Sequence, residues 1–175
     1  MSTTALPDQL SEPAREFASK PQRLLIDGDH VDAADGRTFE TLDPATGETI
    51  TTVAQGGTED VDRAVRAARR AFEDGPWLKT SAAQRARLLI GLAELIEANA
   101  DELAELESLD NGKPVKLAKF VDVGGTVAHF RHFAGWPERV FGEVVPVQQP
   151  DMLCYTRKQP VGVAGQIIPW NFPLL

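Results

Sequence analysis

The sequence is poor in cysteine, basic charge and long hydrophobic runs, and each shortage excludes a class of protein. Its single cysteine, Cys154, cannot form a disulfide within the chain, so a reducing compartment, the cytoplasm, is expected. The 18 Lys and Arg residues are outnumbered by 26 Asp and Glu, and the net charge of -8 disfavours nucleic-acid binding. No apolar run approaches the roughly 18–20 residues of a membrane-spanning helix. The N-terminus also lacks the basic and apolar regions of a secretory signal.

The order of periodic segments predicts an α/β protein in 175 residues. Residues 1–20 are polar and aperiodic and are interpreted as a flexible arm. Strands with turn signals between them are predicted at 23–26, 30–31, 38–42 and 48–53. Helices are predicted from Thr58 and Ser81, which act as N-caps, and from Asn99. A further helical segment is predicted over 115–141, with a kink or restart near Gly135-Trp136 because Pro137 forbids a continuous helix. Period-two patterns predict three further strands at 143–148, 152–158 and 161–168.

Most site motifs that can be read from spacing are absent. The chain has no G-x-G-x-x-G sequence, and Gly112-Lys113 is not a phosphate loop because Pro114 follows. His129 and His132 lie three residues apart without a third metal ligand at a suitable spacing, so two hydrogen-bonded or exposed histidines are favoured. Cys154 lies in a predicted strand and is interpreted as a small buried hydrophobe rather than a nucleophile.

The pattern of one segment, 159–173, is typical of a ligand-binding or catalytic position. A β-branched strand leads to Asn171, which lies between Pro169 and Pro173. Ligands of open α/β sheets bind at the carboxyl ends of the strands, and an amide placed there can donate to a developing oxyanion. Spacing alone leaves a structural turn as the alternative.

This segment resembles the P-x-G-V-x-x-x-I-x-P-W-N-F-P-L motif of the aldehyde dehydrogenase superfamily. Further stretches resemble the same family in the same order across residues 22–175. Within the family, the sequence is most similar in type to NAD-linked retinal and betaine aldehyde enzymes. These stretches are T-L-D-P-A-T-G-E at 41–48, the helix at 60–72, the helix at 85–97, E-S-L-D-N-G-K-P at 107–114, F-A-G-W at 133–136 and Y-T-R at 155–157.

The resemblance implies the N-terminal part of the aldehyde dehydrogenase fold. That part comprises β-hairpins, a helical segment, the start of a Rossmann-like parallel sheet and a protruding antiparallel arm. Residues 21–141 and 160–175 would form an incomplete NAD(P)-binding domain, and 142–159 the oligomerisation arm of a homodimer or homotetramer. The catalytic domain is expected to be absent, so the chain would be about the first third of such an enzyme.

The implied reaction is the NAD(P)-dependent oxidation of an aldehyde to a carboxylic acid through a Cys thiohemiacetal and a thioester. Asn171 matches the family's oxyanion donor, and NAD is favoured over NADP as cofactor. The family's Cys nucleophile and Glu base follow this motif, so Cys154 is not the nucleophile by position and the isolated chain is expected to be inactive. The cofactor wall would comprise Ile167, Ile168, Pro169, Trp170 and Asn171.

Two further sites are implied by the resemblance. Gly125 and Phe172 would border the aldehyde tunnel, and glycine at 125 would leave room for bulky aldehydes. Thr41, the Leu42 carbonyl and Asp110 match a structural monovalent-cation site, with a solvated turn as the alternative. Two other functions stay open: a non-catalytic truncated product that acts as an oligomerisation or interaction module, and a related acyl-CoA-forming dehydrogenase.

Overall fold

A computed structural model describes residues 6–175 of the chain as a mixture of helices and two-stranded antiparallel sheets. The first five residues of the predicted flexible arm lie outside the described residues. The helices are α1 (Glu12–Ala18), α2 (Thr58–Asp74), α3 (Ala82–Ala98), α4 (Ala100–Asn111), α5 (Val115–Leu117) and α6 (Gly124–Ala134), with a 3-10 turn at Pro76–Lys79 and a π-helical segment at Ala118–Val123. The strands are β1 (Leu24–Ile26), β2 (Asp29–Val31), β3 (Thr38–Leu42), β4 (Thr49–Ala54), β5 (Val144–Val145) and β6 (Cys154–Tyr155).

The two N-terminal hairpins form where the sequence predicts them. Asp27 and Gly28 have φ angles of 58° and 88°, the left-handed conformation that a two-residue hairpin turn needs for its tight reversal. This turn pairs Leu24 with Val31. In the second hairpin Thr38 pairs with Ala54, and the register shifts between Thr41 and Leu42.

The predicted flexible arm is wrong over α1. This helix buries Ala14 and Ala18 completely or nearly so, and the Ser11 N–H donates to Glu105 Oε2 of α4 at 2.8 Å. A seven-residue helix with two buried positions carries little periodic signal of its own, and its stability comes from packing on α4.

Of the three predicted helix N-caps, the structure confirms one and differs from the prediction at the other two. Ser81 and Gln84 form the predicted reciprocal capping box of α3. The start of α2 depends on Asp60, whose Oδ2 accepts from the Gly57 N–H at 3.0 Å, so Thr58 is the first helical residue and not the cap. Asn99 begins α4 without a side-chain cap, because its amide donates instead to the Leu95 carbonyl of α3.

The helical segment predicted over 115–141 is shorter and less regular in the structure. α6 ends at Ala134 and a turn begins at Gly135, which confirms the predicted interruption near Gly135-Trp136. The π-helical segment ends at Val123, directly before the pair Gly124-Gly125, whose helix propensity is low.

The three predicted C-terminal strands are reduced to one short hairpin. Val144 pairs with Tyr155 and Val145 with Cys154. The predicted strand at 161–168 is wrong for this structure: within residues 6–175 no strand pairs with it, and the Val161 and Ile167 side chains are fully exposed. A strand needs a hydrogen-bonded neighbour, so the expected start of a parallel sheet does not form here.

Small side chains dominate the buried core. One cluster joins Ala18, Ile50 and Leu109. A second joins Ala104, Ala118 and Val123, with Leu174 from the C-terminal segment packed against it. The second cluster therefore connects α4, the π-helical segment and the end of the chain. None of the helices within residues 6–175 is long and apolar enough to span a membrane.

Candidate active site

The segment that contains Asn171 forms a turn, and the residues that follow the turn are held against α6. Pro169 O accepts from the Phe172 N–H at 3.2 Å, which closes a turn around Trp170 and Asn171. Beyond the turn, Thr126 Oγ1 of α6 lies 3.2 Å from the Leu174 carbonyl and shares its one proton between that oxygen and the Asp122 carbonyl at 2.7 Å. The turn is therefore fixed on its C-terminal side by α6 and by the second core cluster.

Lys113 contacts Asn171 directly. Its Nζ donates to the Asn171 backbone carbonyl at 3.0 Å and lies 4.0 Å from the centre of the Phe172 ring. The same ammonium donates to Glu107 Oε1 at 3.4 Å and also to Asp122 Oδ1. Gly112, with φ 76°, ends α4 and reverses the chain so that Lys113 points back to these acceptors.

The charges in this cluster shift the pKa values of two of its members. Burial, and then the hydrogen bond and charge of Asp122, raise the pKa of Glu107 to about 7 against the opposing pull of Lys113. Burial opposes the charge on Lys113, but hydrogen bonds to Asp122 and Glu107 together with their charges raise the pKa of its ammonium overall. Asp122 is completely buried, and among residues 6–175 its Oδ2 has no hydrogen-bond partner.

The predicted cofactor residues lie at the surface. Ile167 is fully exposed, Trp170 is 79% exposed, and more than half of the Ile168 side chain is open to solvent. Asn171 is also exposed. Branched aliphatic and aromatic side chains at a surface fit the apolar faces of a dinucleotide in chemical type, and their cofactor role stays a prediction.

Of the two predicted tunnel residues, Gly125 of α6 lies against the C-terminal segment and Phe172 belongs to that segment. A Cβ added at Gly125 would stand 3.0 Å from Leu175 Cδ1, so the segment packs closely over this glycine. Phe172 packs instead against Lys113. The structure brings both residues to the same segment, and their role in aldehyde binding stays a prediction.

The predicted cation ligands are partly brought together. Thr41 Oγ1 donates to Asp110 Oδ1 at 3.4 Å, and Leu42 adjoins Thr41 at the register shift of β3. Hydroxyl, carbonyl and carboxylate oxygens are ligands of the type that hard cations take. Within residues 6–175 no group of three or more His, Cys, Asp or Glu side chains is arranged as a metal site.

The histidines and the cysteine have other surroundings. His129 Nδ1 lies 2.8 Å from the Gly125 carbonyl, and His132 Nε2 accepts from Trp136 Nε1 at 3.2 Å. Both histidines therefore make hydrogen bonds within or next to α6. The prediction that Cys154 is buried is wrong, because it lies exposed in β6 and the short hairpin covers neither face.

Sequence reasoning missed the charged cluster next to Asn171. Its members are separated in the chain and come from α4, the turn after it and the π-helical segment. Glu107 lies four residues after Leu103 and three after Ala104, and Asp122 lies between two valines. Glu107 and Lys113 both lie in the E-S-L-D-N-G-K-P stretch at 107–114, and carboxylates next to apolar residues are a second signal that could have identified the cluster.

Residues 30–175 match the sequence profile of the aldehyde dehydrogenase family. The chain belongs to this family. It is 48% identical over 151 residues to aldehyde dehydrogenase family 2 member C4 of Arabidopsis thaliana, an alignment that covers 86% of this chain and 30% of that protein. The resemblance inferred from the sequence motifs is thereby confirmed.

Solved structures of family members agree with the fold. The NAD+ complex of aldehyde dehydrogenase from Bacillus cereus superposes with a TM-score of 0.91 at 47% identity, over 95% of this chain and 34% of that one. A betaine aldehyde dehydrogenase variant from Staphylococcus aureus, in complex with NAD+, has a TM-score of 0.82 at 39% identity over 87% of this chain and 30% of that one. The chain thus spans about a third of the length of these aldehyde dehydrogenases.

Proposed function

We propose that these residues form the N-terminal third of an NAD-dependent aldehyde dehydrogenase, which oxidises an aldehyde to a carboxylic acid. Family membership and the NAD+ complexes of similar enzymes support this function. The observation that carries it is the anchored turn at Asn171, whose backbone is held by Lys113 while the residue stays exposed. A cytoplasmic location goes with this proposal, because the one cysteine has no partner for a disulfide within the chain.

In the proposed reaction Asn171 stabilises charge. When a thiolate attacks the aldehyde carbon, the carbonyl oxygen becomes an oxyanion, and the Asn171 side-chain amide would donate to it. The thiolate and the carboxylate base would come from family motifs that no part of residues 1–175 matches. Cys154 is exposed in a peripheral hairpin and is not proposed as the nucleophile.

NAD is the proposed cofactor, and when bound it supplies the hydride acceptor. Ile167, Ile168, Pro169 and Trp170 would provide an apolar wall for it. A monovalent cation held by oxygens of Thr41, Leu42 and Asp110 would have a structural role and take no part in the reaction.

The 175-residue chain alone is expected to produce no NADH from aldehydes and NAD. A chimaera in which this chain replaces the matching third of the Bacillus cereus enzyme should produce NADH at a measurable rate, since it adds the absent nucleophile and base. Absorbance at the NADH band measures both. Cys154→Ser should leave the chimaera active. Turnover by the isolated chain, or loss of turnover in the Cys154→Ser chimaera, would contradict the assignment of the nucleophile.

We also propose that the β5–β6 hairpin is an oligomerisation arm. The same arm would be needed if the chain were a non-catalytic interaction module. Val144 and Tyr155 pair across its strands, and both are mostly exposed. An isolated two-stranded hairpin is marginal in water, so an intermolecular partner would stabilise it.

In the chimaera, Val144→Lys combined with Tyr155→Glu should break the proposed oligomer into smaller species, which sedimentation velocity measures. The opposite charges keep a cross-strand attraction while the apolar surface is removed. Leu25→Lys, on the exposed face of β1, is the matched control and should leave the assembly intact. An unchanged sedimentation coefficient in the double variant of the chimaera would argue against the arm.

A further inference from the structure

The ammonium group of Lys113 has all of its hydrogen-bonding capacity assigned. A lysine ammonium has three N–H donors. In this structure they are directed to Glu107, to Asp122 and to the Asn171 backbone carbonyl. No donor is left over for substrate or solvent, so the side chain acts as a three-way connector.

The connector joins parts of the chain that are distant in sequence. Glu107 lies on α4, Asp122 on the π-helical segment, and Asn171 lies 58 residues after Lys113. The Glu107 and Asp122 side chains are 3% and 0% exposed, and that of Lys113 is 14% exposed. The two carboxylates are thus fixed by their helices and fix the ammonium in turn.

An exposed backbone carbonyl does not require such a partner. Water would satisfy the carbonyl of Asn171 at little cost. The structure instead directs a charged donor at it from a buried cluster, and places the same charge 4.0 Å from the centre of the next side chain, Phe172. Two adjacent residues of the turn are therefore held by one ammonium.

We propose that Lys113 is a positioning residue for Asn171: held by the carboxylates of Glu107 and Asp122, it fixes the Asn171 carbonyl and the Phe172 ring and thereby sets the direction of the Asn171 side-chain amide. This rests on the proposed oxyanion role of Asn171. The amide must lie within about 0.5 Å of its productive place to stabilise an oxyanion fully. Lys113 itself touches neither substrate nor cofactor.

The contact is tested first in the 175-residue chain, without any catalysis. Lysine labelled with 13C at the ε-carbon should give an ε-methylene resonance shifted upfield by the Phe172 ring, with a nuclear Overhauser effect to that ring. Phe172→Leu should abolish both signals, while Lys119, which pairs with Asp101 at the surface, should show neither. Absence of both signals from Lys113 in the unsubstituted chain would overturn the proposal.

The positioning role is tested next in the chimaera by a double-mutant cycle. One arm of the cycle changes the Lys113 cluster and the other arm is Asn171→Ala. Lys113→Met leaves two buried carboxylates without a cation, so the cycle uses Lys113→Met together with Glu107→Gln and Asp122→Asn, which leaves no unpaired charge. We expect this triple substitution to lower kcat by about tenfold to a hundredfold, since small misplacements of catalytic groups have effects of this size. The KM for NAD should change by less than about twofold.

The decisive comparison is made in the Asn171→Ala background. If Lys113 acts through the Asn171 side chain, the triple substitution should lower kcat there by no more than about twofold, because the amide it positions is gone. The same loss in both backgrounds would overturn the proposal and indicate a general structural role. Lys119→Met is the control, and should leave kcat unchanged in both.

The two tests separate this inference from the function on which it rests. If the Lys113–Phe172 signals are present and Asn171→Ala alone leaves kcat unchanged, the proposed oxyanion role fails while the contact stands. If Asn171→Ala lowers kcat and the triple substitution does not, the positioning role fails and the proposed function stands.

Discussion

Asn171→Ala is expected to lower kcat of the chimaera by about 10²- to 10³-fold, the loss that follows removal of one oxyanion donor. This corresponds to about 3–4 kcal/mol of transition-state stabilisation. Because the amide donates only after charge develops on the carbonyl oxygen, kcat and kcat/KM should fall together and KM should change little. Steady-state rates of NADH formation with a saturating aldehyde measure the effect.

The control for Asn171→Ala is a second side-chain amide, that of Gln166, which lies five residues earlier in the same segment. Gln166 is exposed and is not among the residues assigned to the site, so Gln166→Ala should leave kcat within about twofold of the parent chimaera. The Asn171 backbone contact with Lys113 does not involve the side chain, so the alanine variant should keep the turn in place. A kcat for Asn171→Ala within a few fold of the parent would remove Asn171 from the mechanism.

Local signals were sufficient for the elements whose stability is local. The Asp27-Gly28 turn and the Ser81 capping box each depend on residues within four positions of one another. Both are predictable because the chemistry that stabilises them is contained in the same short stretch. The end of α4 at Gly112 belongs to the same class, since the left-handed conformation favours glycine.

Elements that depend on distant partners were predicted badly. α1 is stabilised by contact with α4 and by the Ser11–Glu105 hydrogen bond, and neither is visible in its own seven residues. The segment 161–168 has a strand-like pattern, but no strand within residues 6–175 pairs with it. A pattern of alternating side chains predicts a preference, whereas hydrogen bonds to a neighbour decide whether the strand forms.

The candidate site divides in the same way. Asn171 was identified because its motif is contiguous and carries a resemblance. Lys113, Glu107 and Asp122 were missed because their association exists only after α4, the following turn and the π-helical segment have packed. Sequence spacing does not show which buried carboxylates face one cation.

Lys113→Met is expected to destabilise the chain by about 3–5 kcal/mol at pH 8, since it leaves two buried carboxylates without their cation. The loss should be smaller at pH 5. The pKa of Glu107 is raised to about 7 in the folded protein, so the folded state binds more protons than the unfolded state between about pH 4.5 and 7. Stability from the neutral carboxyl is complete below the unfolded pKa and is lost as the pH rises through the folded value. Without Lys113, which opposes this shift, the pH dependence should steepen.

Urea unfolding of the parent and of Lys113→Met at pH 5, 6, 7 and 8 measures this difference, with circular dichroism as the probe. Lys119→Met is the control, because its exposed pair with Asp101 should contribute less than about 1 kcal/mol at any of these pH values. Adding Glu107→Gln to Lys113→Met should recover part of the lost stability at pH 8 and little at pH 5, because only at the higher pH does the substitution remove a charge. Equal destabilisation by Lys113→Met at pH 5 and pH 8 would show that unpaired charge on the two carboxylates does not cause the loss of stability. The deficit would then come from the lost contacts of the ammonium with the Asn171 carbonyl and the Phe172 ring, and the electrostatic account of the cluster would be wrong.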